Sequence, residues 1–137
     1  MQNPVSIRLR TLRSLILLAL LALIGMGAAS AAVVTAGASD NGGSIKLKKG
    51  DTLELTLPTN ASTGYDWTVL PDSTPLLKLQ SHTSKRSSGG QLGAPGMATY
   101  RFAATAKGTG DLTMQYSRAW EHSPQADKKF VLHINIQ

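Results

Sequence analysis

The chain has 137 residues, enough for one domain with a packed core, and it contains no cysteine, so neither a disulfide framework nor a thiolate metal site is available. Its formal net charge is +6, but Arg8, Arg10 and Arg13 fall in the N-terminal segment, and the remainder balances eleven basic against eight acidic residues, a net +3. That is an ordinary surface, without the dense basic face of a nucleic-acid binder.

The N-terminal segment has the three parts of an export signal: the basic head, an apolar run over 15–24, and the small residues Ala28-Ala29-Ser30-Ala31-Ala32. The run is short for a membrane span. We expect residues 1–31 to be removed on export, to the periplasm or to the outside. Residues 32–43 are small, Gly- and Ala-rich and aperiodic, and are expected to be a flexible lead-in.

From Ser44 to the C-terminus the period is two. Ile45 and Leu47 alternate with Ser44, Lys46 and Lys48, and Gly50-Asp51 turns the chain. Leu53, Leu55 and Leu57 alternate with Thr52, Glu54 and Thr56 until Pro58, which has no N–H for a ladder. Asn60-Ala61-Ser62-Thr63-Gly64-Tyr65 is a loop, after which Tyr65, Trp67 and Val69 share one face and Asp66 and Thr68 the other. Leu77 and Leu79 predict a short strand toward Thr83, and 84–96 a long loop containing Gly89, Gly90, Gly93, Ala94, Pro95 and Gly96. Tyr100, Phe102, Ala104 and Ala106 then alternate with polar or small neighbours. Gly108-Thr109-Gly110-Asp111 reads as a tight connection. Leu112, Met114 and Tyr116 form the next strand, Arg118-Ala119-Trp120 the next loop, and Phe130, Leu132, Ile134 and Ile136 the last strand.

About seven strands with one apolar face each, and no long helical segment, predict an all-β, immunoglobulin-like antiparallel β-sandwich over 44–137, with a barrel as the alternative closure. With up-and-down strands, the loops at 60–65, 84–96 and 118–120 leave the same end. There the sequence places features suited to recognition: Asn60 to close a turn, slim Ser62 and Thr63, Gly64 for a positive φ or a close approach, and an indole beside Arg118. The glycine-rich loop is not followed by a Lys-Ser/Thr pair or by a helix, so it is not a phosphate cradle. His82, His122 and His133 are scattered, and Ser62 has no base that its neighbours identify. We therefore expect neither catalysis nor a cofactor or metal.

Taken in order, the three loops resemble the signatures of the chagasin family, secreted inhibitors of papain-like cysteine proteases. The family's first loop reads Asn-Pro-Thr-Thr-Gly-aromatic, matched by Asn60, Ala61, Ser62, Thr63, Gly64 and Tyr65. Its second carries Gly-x-Gly-Gly, matched by Gly93, Ala94 and Gly96. Its third reads Arg-Pro-Trp, matched by Arg118 and Trp120. Ala61 and Ala119 stand where the family has proline and Pro95 where it has glycine, which removes two fixed φ angles and one N–H. The resemblance implies a reversible, non-covalent inhibitor whose partner is a papain-like protease, and an exposed binding end favours a monomer. Ser62 and Thr63 would enter the cleft over the catalytic cysteine, and the other two loops would straddle it. An exported sandwich that binds carbohydrate or an envelope protein, with Trp120 and Tyr65 stacking on a sugar, is the alternative.

Overall fold

Among the described residues the chain forms eight strands, most of them from segments that alternate apolar and polar residues: β1 (Val33–Gly37), β2 (Ser44–Leu47), β3 (Thr52–Thr59), β4 (Tyr65–Val69), β5 (Leu77–Arg86), β6 (Gly96–Ala104), β7 (Gly108–Arg118) and β8 (Lys128–Ile136). The structure is a computed structural model that describes residues 30–86, 94–121 and 128–137. The export segment expected over 1–31 lies almost wholly outside the described residues. All eight strands lie in the compact unit Ala31–Gln137.

The strands form two four-stranded sheets, ordered β1-β3-β6-β5 and β2-β8-β7-β4. The inward residues of both sheets make one core. Leu53, Leu55 and Leu57 of β3, Tyr100 and Phe102 of β6, Leu112 and Met114 of β7, and Phe130, Leu132, Ile134 and Ile136 of β8 are all buried. Each large side chain removed from water in this way is worth about 1.5–3 kcal/mol, and in a chain without cysteine such burial takes the place of disulfides. The expected sandwich is thus the observed fold.

Four details differ from the expectation. Residues 33–37 of the expected lead-in form β1, which pairs in parallel with β3 from Val33↔Thr52 to Gly37↔Thr56. As an edge strand it buries only Ala36 and part of Val34, so its sequence has too few large apolar residues to show a period. β2 is likewise parallel to β8, so each sheet is mixed rather than purely antiparallel.

The tight connection expected at 108–111 is instead the start of β7. Gly108 adopts φ +144°, and a Cβ at Gly110 would overlap the Thr74 side chain, so these glycines serve a close approach rather than a reversal. Lastly, β5 continues to Arg86. It is the free edge of its sheet, exposed along almost its whole length, and only Leu77 is buried, so polar residues occupy both faces and hide the strand.

Asp51 ties the N-terminal elements together. Its carboxylate accepts N–H bonds from Ala32 (3.0 Å), just before β1, and from Lys48 (2.8 Å), in the turn between β2 and β3. Those donors stabilise the charged form and hold its pKa below the ordinary carboxylate value.

Candidate functional site: three loops at one end of the sandwich

The topology brings the three connections to one end. β3 leaves the first sheet through residues 60–64 and enters the second as β4. β5 and β6 form a hairpin within the first sheet, and β7 and β8 one within the second. Thr59, Gly96 and Arg86 lie in one cross-strand row, so the β5–β6 connection departs at the level where β3 becomes the first loop.

The first loop is closed by its own hydrogen bonds. Asn60 and Tyr65 form an antiparallel bridge at its neck, and the buried Thr59 hydroxyl donates to the Tyr65 carbonyl (3.1 Å). Ala61–Thr63 is a single 3-10 turn. The Asn60 carbonyl accepts from the Thr63 N–H (3.1 Å) and the Thr63 hydroxyl (2.8 Å), while the Ser62 hydroxyl donates to Asn60 Oδ1 (2.8 Å). Ser62 and Thr63 are exposed at the tip. Gly64 returns the chain with φ +82°, the left-handed region expected of it.

The third loop is folded onto the first. Arg118 is the cross-strand partner of Tyr65. Its guanidinium lies 4.3 Å from the Tyr65 ring centroid and 5.9 Å from that of Trp120. Arg118 Nε donates to the Thr63 carbonyl (3.1 Å) and Nη1 to Glu121 (3.1 Å). The Trp120 indole covers Gly64 so closely that a Cβ there would overlap it, yet the residue keeps 64% of its surface exposed. Glycine at 64 therefore meets the positive φ expected from the sequence, and the close neighbour it admits is this chain's own Trp120 rather than a partner backbone.

An aromatic column supports this pair of loops from below. Tyr116 stacks on Tyr65 (centroids 5.2 Å apart) and tilts against Trp67 (5.0 Å). Its hydroxyl accepts the Asn60 N–H (2.9 Å), and Trp67 Nε1–H donates to the Pro58 carbonyl (2.9 Å). On the far side of β4, Asp66 Oδ1 accepts from the Trp67 N–H (2.8 Å) and the Tyr100 hydroxyl (3.0 Å). Burial, and secondarily the Asp66 charge, push the Tyr100 phenol well above the usual tyrosine range, so it stays a donor at any physiological pH. The sequence marks Tyr116 and Tyr100 only as inward-facing; their hydroxyl partners come from other strands and leave no local pattern.

Of the second loop, Ala94 is half-buried and Pro95 exposed, and Gly96 starts β6 with its backbone pressed against the Lys85 carbonyl, where a Cβ would not fit. Gly93, like Gly89 and Gly90, lies outside the described residues. The structure thus brings Asn60, Ser62, Thr63, Gly64, Tyr65, Arg118 and Trp120 together, and puts Gly96 on the strand row that opens into them. Among the described residues no three of His, Asp and Glu converge on a possible metal position. His82 pairs with Asp66 (3.7 Å) and His133 with Asp111 (2.6 Å) on different parts of the sandwich.

Comparison with known proteins identifies the arrangement. Residues 46–134 match the chagasin family peptidase inhibitor I42. Amoebiasin-1 of Entamoeba histolytica is 29% identical over 99 residues, spanning 72% of this chain and 94% of that protein. The crystal structure of the cysteine protease inhibitor EhICP2 from Entamoeba histolytica superposes with a TM-score of 0.66 at 23% identity, covering 77% of this chain and 96% of that one. PbICP-C, solved in complex with falcipain-2, shares the fold with a TM-score of 0.51 at 20% identity, over 82% of this chain and 96% of its own. With the family match extending over most of the sandwich, the chain belongs to the chagasin family of peptidase inhibitors.

Proposed function

We propose that the protein is a reversible, non-covalent inhibitor of papain-like cysteine proteases and that the joined first and third loops are its binding surface. The observation that carries this reading is the Trp120–Gly64–Arg118 junction: a largely exposed indole and a partly exposed guanidinium, both fixed against the tip that presents Ser62 and Thr63. Large side chains held in place before docking lose little entropy on binding, and Trp and Arg are the side chains that most often dominate interface energies.

The first loop enters the cleft of the protease and covers its catalytic cysteine. Trp120 and Arg118 grip one side, and the loop of Ala94 and Gly96 takes the other. A protease–inhibitor contact of ordinary size buries about 1,600 Å² in total, an area three loop tips and their flanks are able to share. That PbICP-C is found with falcipain-2 supports a protease partner of the same kind here. Membership of a peptidase inhibitor family favours this function over recognition of carbohydrate or of an envelope protein. The basic head, short apolar run and small residues of 1–31 support export of the inhibitor to the periplasm or beyond.

The test is residual papain and cathepsin L activity on a fluorogenic peptide, titrated with the protein and with Trp120→Ala. We expect dose-dependent inhibition that the substitution weakens by about tenfold or more. Full activity of both proteases at micromolar inhibitor would overturn the proposal.

A further inference from the structure

Beside the loop end, the outer face of the first sheet changes character. Nearer the middle of that face the cross-strand rows are polar and satisfied: Thr56 and Thr99 share a hydroxyl hydrogen bond (3.2 Å), and Glu54 pairs with Arg101 (3.6 Å). The last outward row, Pro58–Met97–Lys85, breaks this pattern. Met97 is 47% exposed in the middle of it, with Pro58 and Pro95, both exposed, close by. Together with Gly96 and Arg86 these residues line a shallow groove. Neither Lys85 nor Arg86 has a carboxylate partner among the described residues, whereas Arg101, on the same sheet, has one.

An exposed thioether between prolines, bordered by two cations with no carboxylate partner among the described residues, is an unusual way to end a sheet. It is also continuous with the binding end: the next row is Thr59–Gly96–Arg86, and Asn60 follows Thr59. Gly96 adds no side chain to the groove, and a Cβ there would overlap the Lys85 carbonyl.

Resting on the function proposed above, we infer that Lys85, Arg86 and Met97, on the strands that carry the second loop, form a ledge, a specificity-determining contact beyond the loop tips, which takes an acidic, partly apolar rim of the protease outside its catalytic cleft. Lys85 and Arg86 pair with carboxylates on that rim, and Met97 packs against its apolar part. The three loops occupy the cleft common to these proteases. The ledge selects among them by the charge of the surface beside it.

The experiment measures association and dissociation rate constants of the protein with two papain-like proteases, one net acidic and one net basic at the assay pH, in low and high salt. The variants are Lys85→Glu/Arg86→Glu, Met97→Ser, and Lys78→Glu/Lys107→Glu. The last makes the same change in net charge away from the loop end. Thermal melts establish that each is folded. We expect the ledge charge reversal to slow association with the acidic protease by about tenfold at low salt, with the difference shrinking at high salt, and the control reversal to slow it far less. Met97→Ser should speed dissociation several-fold. Ledge variants that match the wild type, or a control reversal as damaging as the ledge reversal, would overturn the inference and leave inhibition by the loops standing. A wild-type protein that inhibits neither protease would overturn both.

Discussion

At the scale of single residues, Gly64 is the position where backbone and side-chain requirements coincide. A Cβ there is strained by φ +82° and also displaces the Trp120 indole. The left-handed conformation costs a non-glycine residue about 1–2 kcal/mol, and moving the indole disturbs the surface proposed above to dock on the protease. Gly64→Ala should therefore lower the melting temperature by roughly 4–8 °C per kcal/mol lost and weaken protease inhibition by about tenfold or more. The two effects separate in a double-mutant cycle. With Trp120 already replaced by Ala, the overlap is gone, so Gly64→Ala should still destabilise the fold but cost much less inhibition. Equal loss of inhibition in both backgrounds would mean that the indole does not act through its seat on Gly64.

At the scale of elements, Asp51 adds a charged link between the residue before β1 and the β2–β3 turn. Its folded-state pKa lies below the ordinary value of 3.8, chiefly through the Ala32 N–H and then the Lys48 N–H. A depressed carboxylate pKa adds stability that is fully present above the ordinary value and is lost as the pH falls through it toward the folded-state value. Asp51→Ala should then melt below the wild type at about pH 7, and the gap should narrow as the pH falls below the ordinary carboxylate value. A gap that is constant with pH would show that the charge is not what binds these elements. The same elements mark the limit of what the sequence reveals. Strands that bury one face against the core, such as Leu53-x-Leu55-x-Leu57 and Phe130-x-Leu132-x-Ile134-x-Ile136, display their period openly. Strands β1 and the outer part of β5 are held by a neighbouring backbone more than by a core, so they leave only composition to read. The loop residues Asn60, Gly64, Arg118 and Trp120 are legible as a set, but their support is not: Tyr116 reaches the Asn60 N–H across 56 positions of sequence. The ledge at Met97 likewise emerges only when three strands are laid side by side.

At the scale of the whole molecule, the issue is why a protease should be stopped by this chain rather than digest it. A scissile segment must lie extended, with its carbonyl open to attack and its ends free to separate. The tip over residues 61–63 is instead a 3-10 turn, and the Asn60 carbonyl before it is occupied by the Thr63 N–H and hydroxyl. The Thr63 carbonyl after it accepts from Arg118. The two ends of the loop continue into different sheets, each fixed by its own ladder, β3 to β6 and β4 to β7. Opening the turn into a substrate-like strand would break these bonds and lift Trp120 from Gly64, a cost of several hydrogen bonds at about 1 kcal/mol each. The sandwich itself contains no disulfide for the thiol reductants of such assays to break. Incubated for hours with a slight excess of active protease, the inhibitor should therefore stay intact by mass spectrometry and still inhibit fresh enzyme after recovery from the complex. Cleavage between residues 60 and 64 that tracks with loss of inhibition would make this a slow substrate, and the closed turn would no longer explain its action.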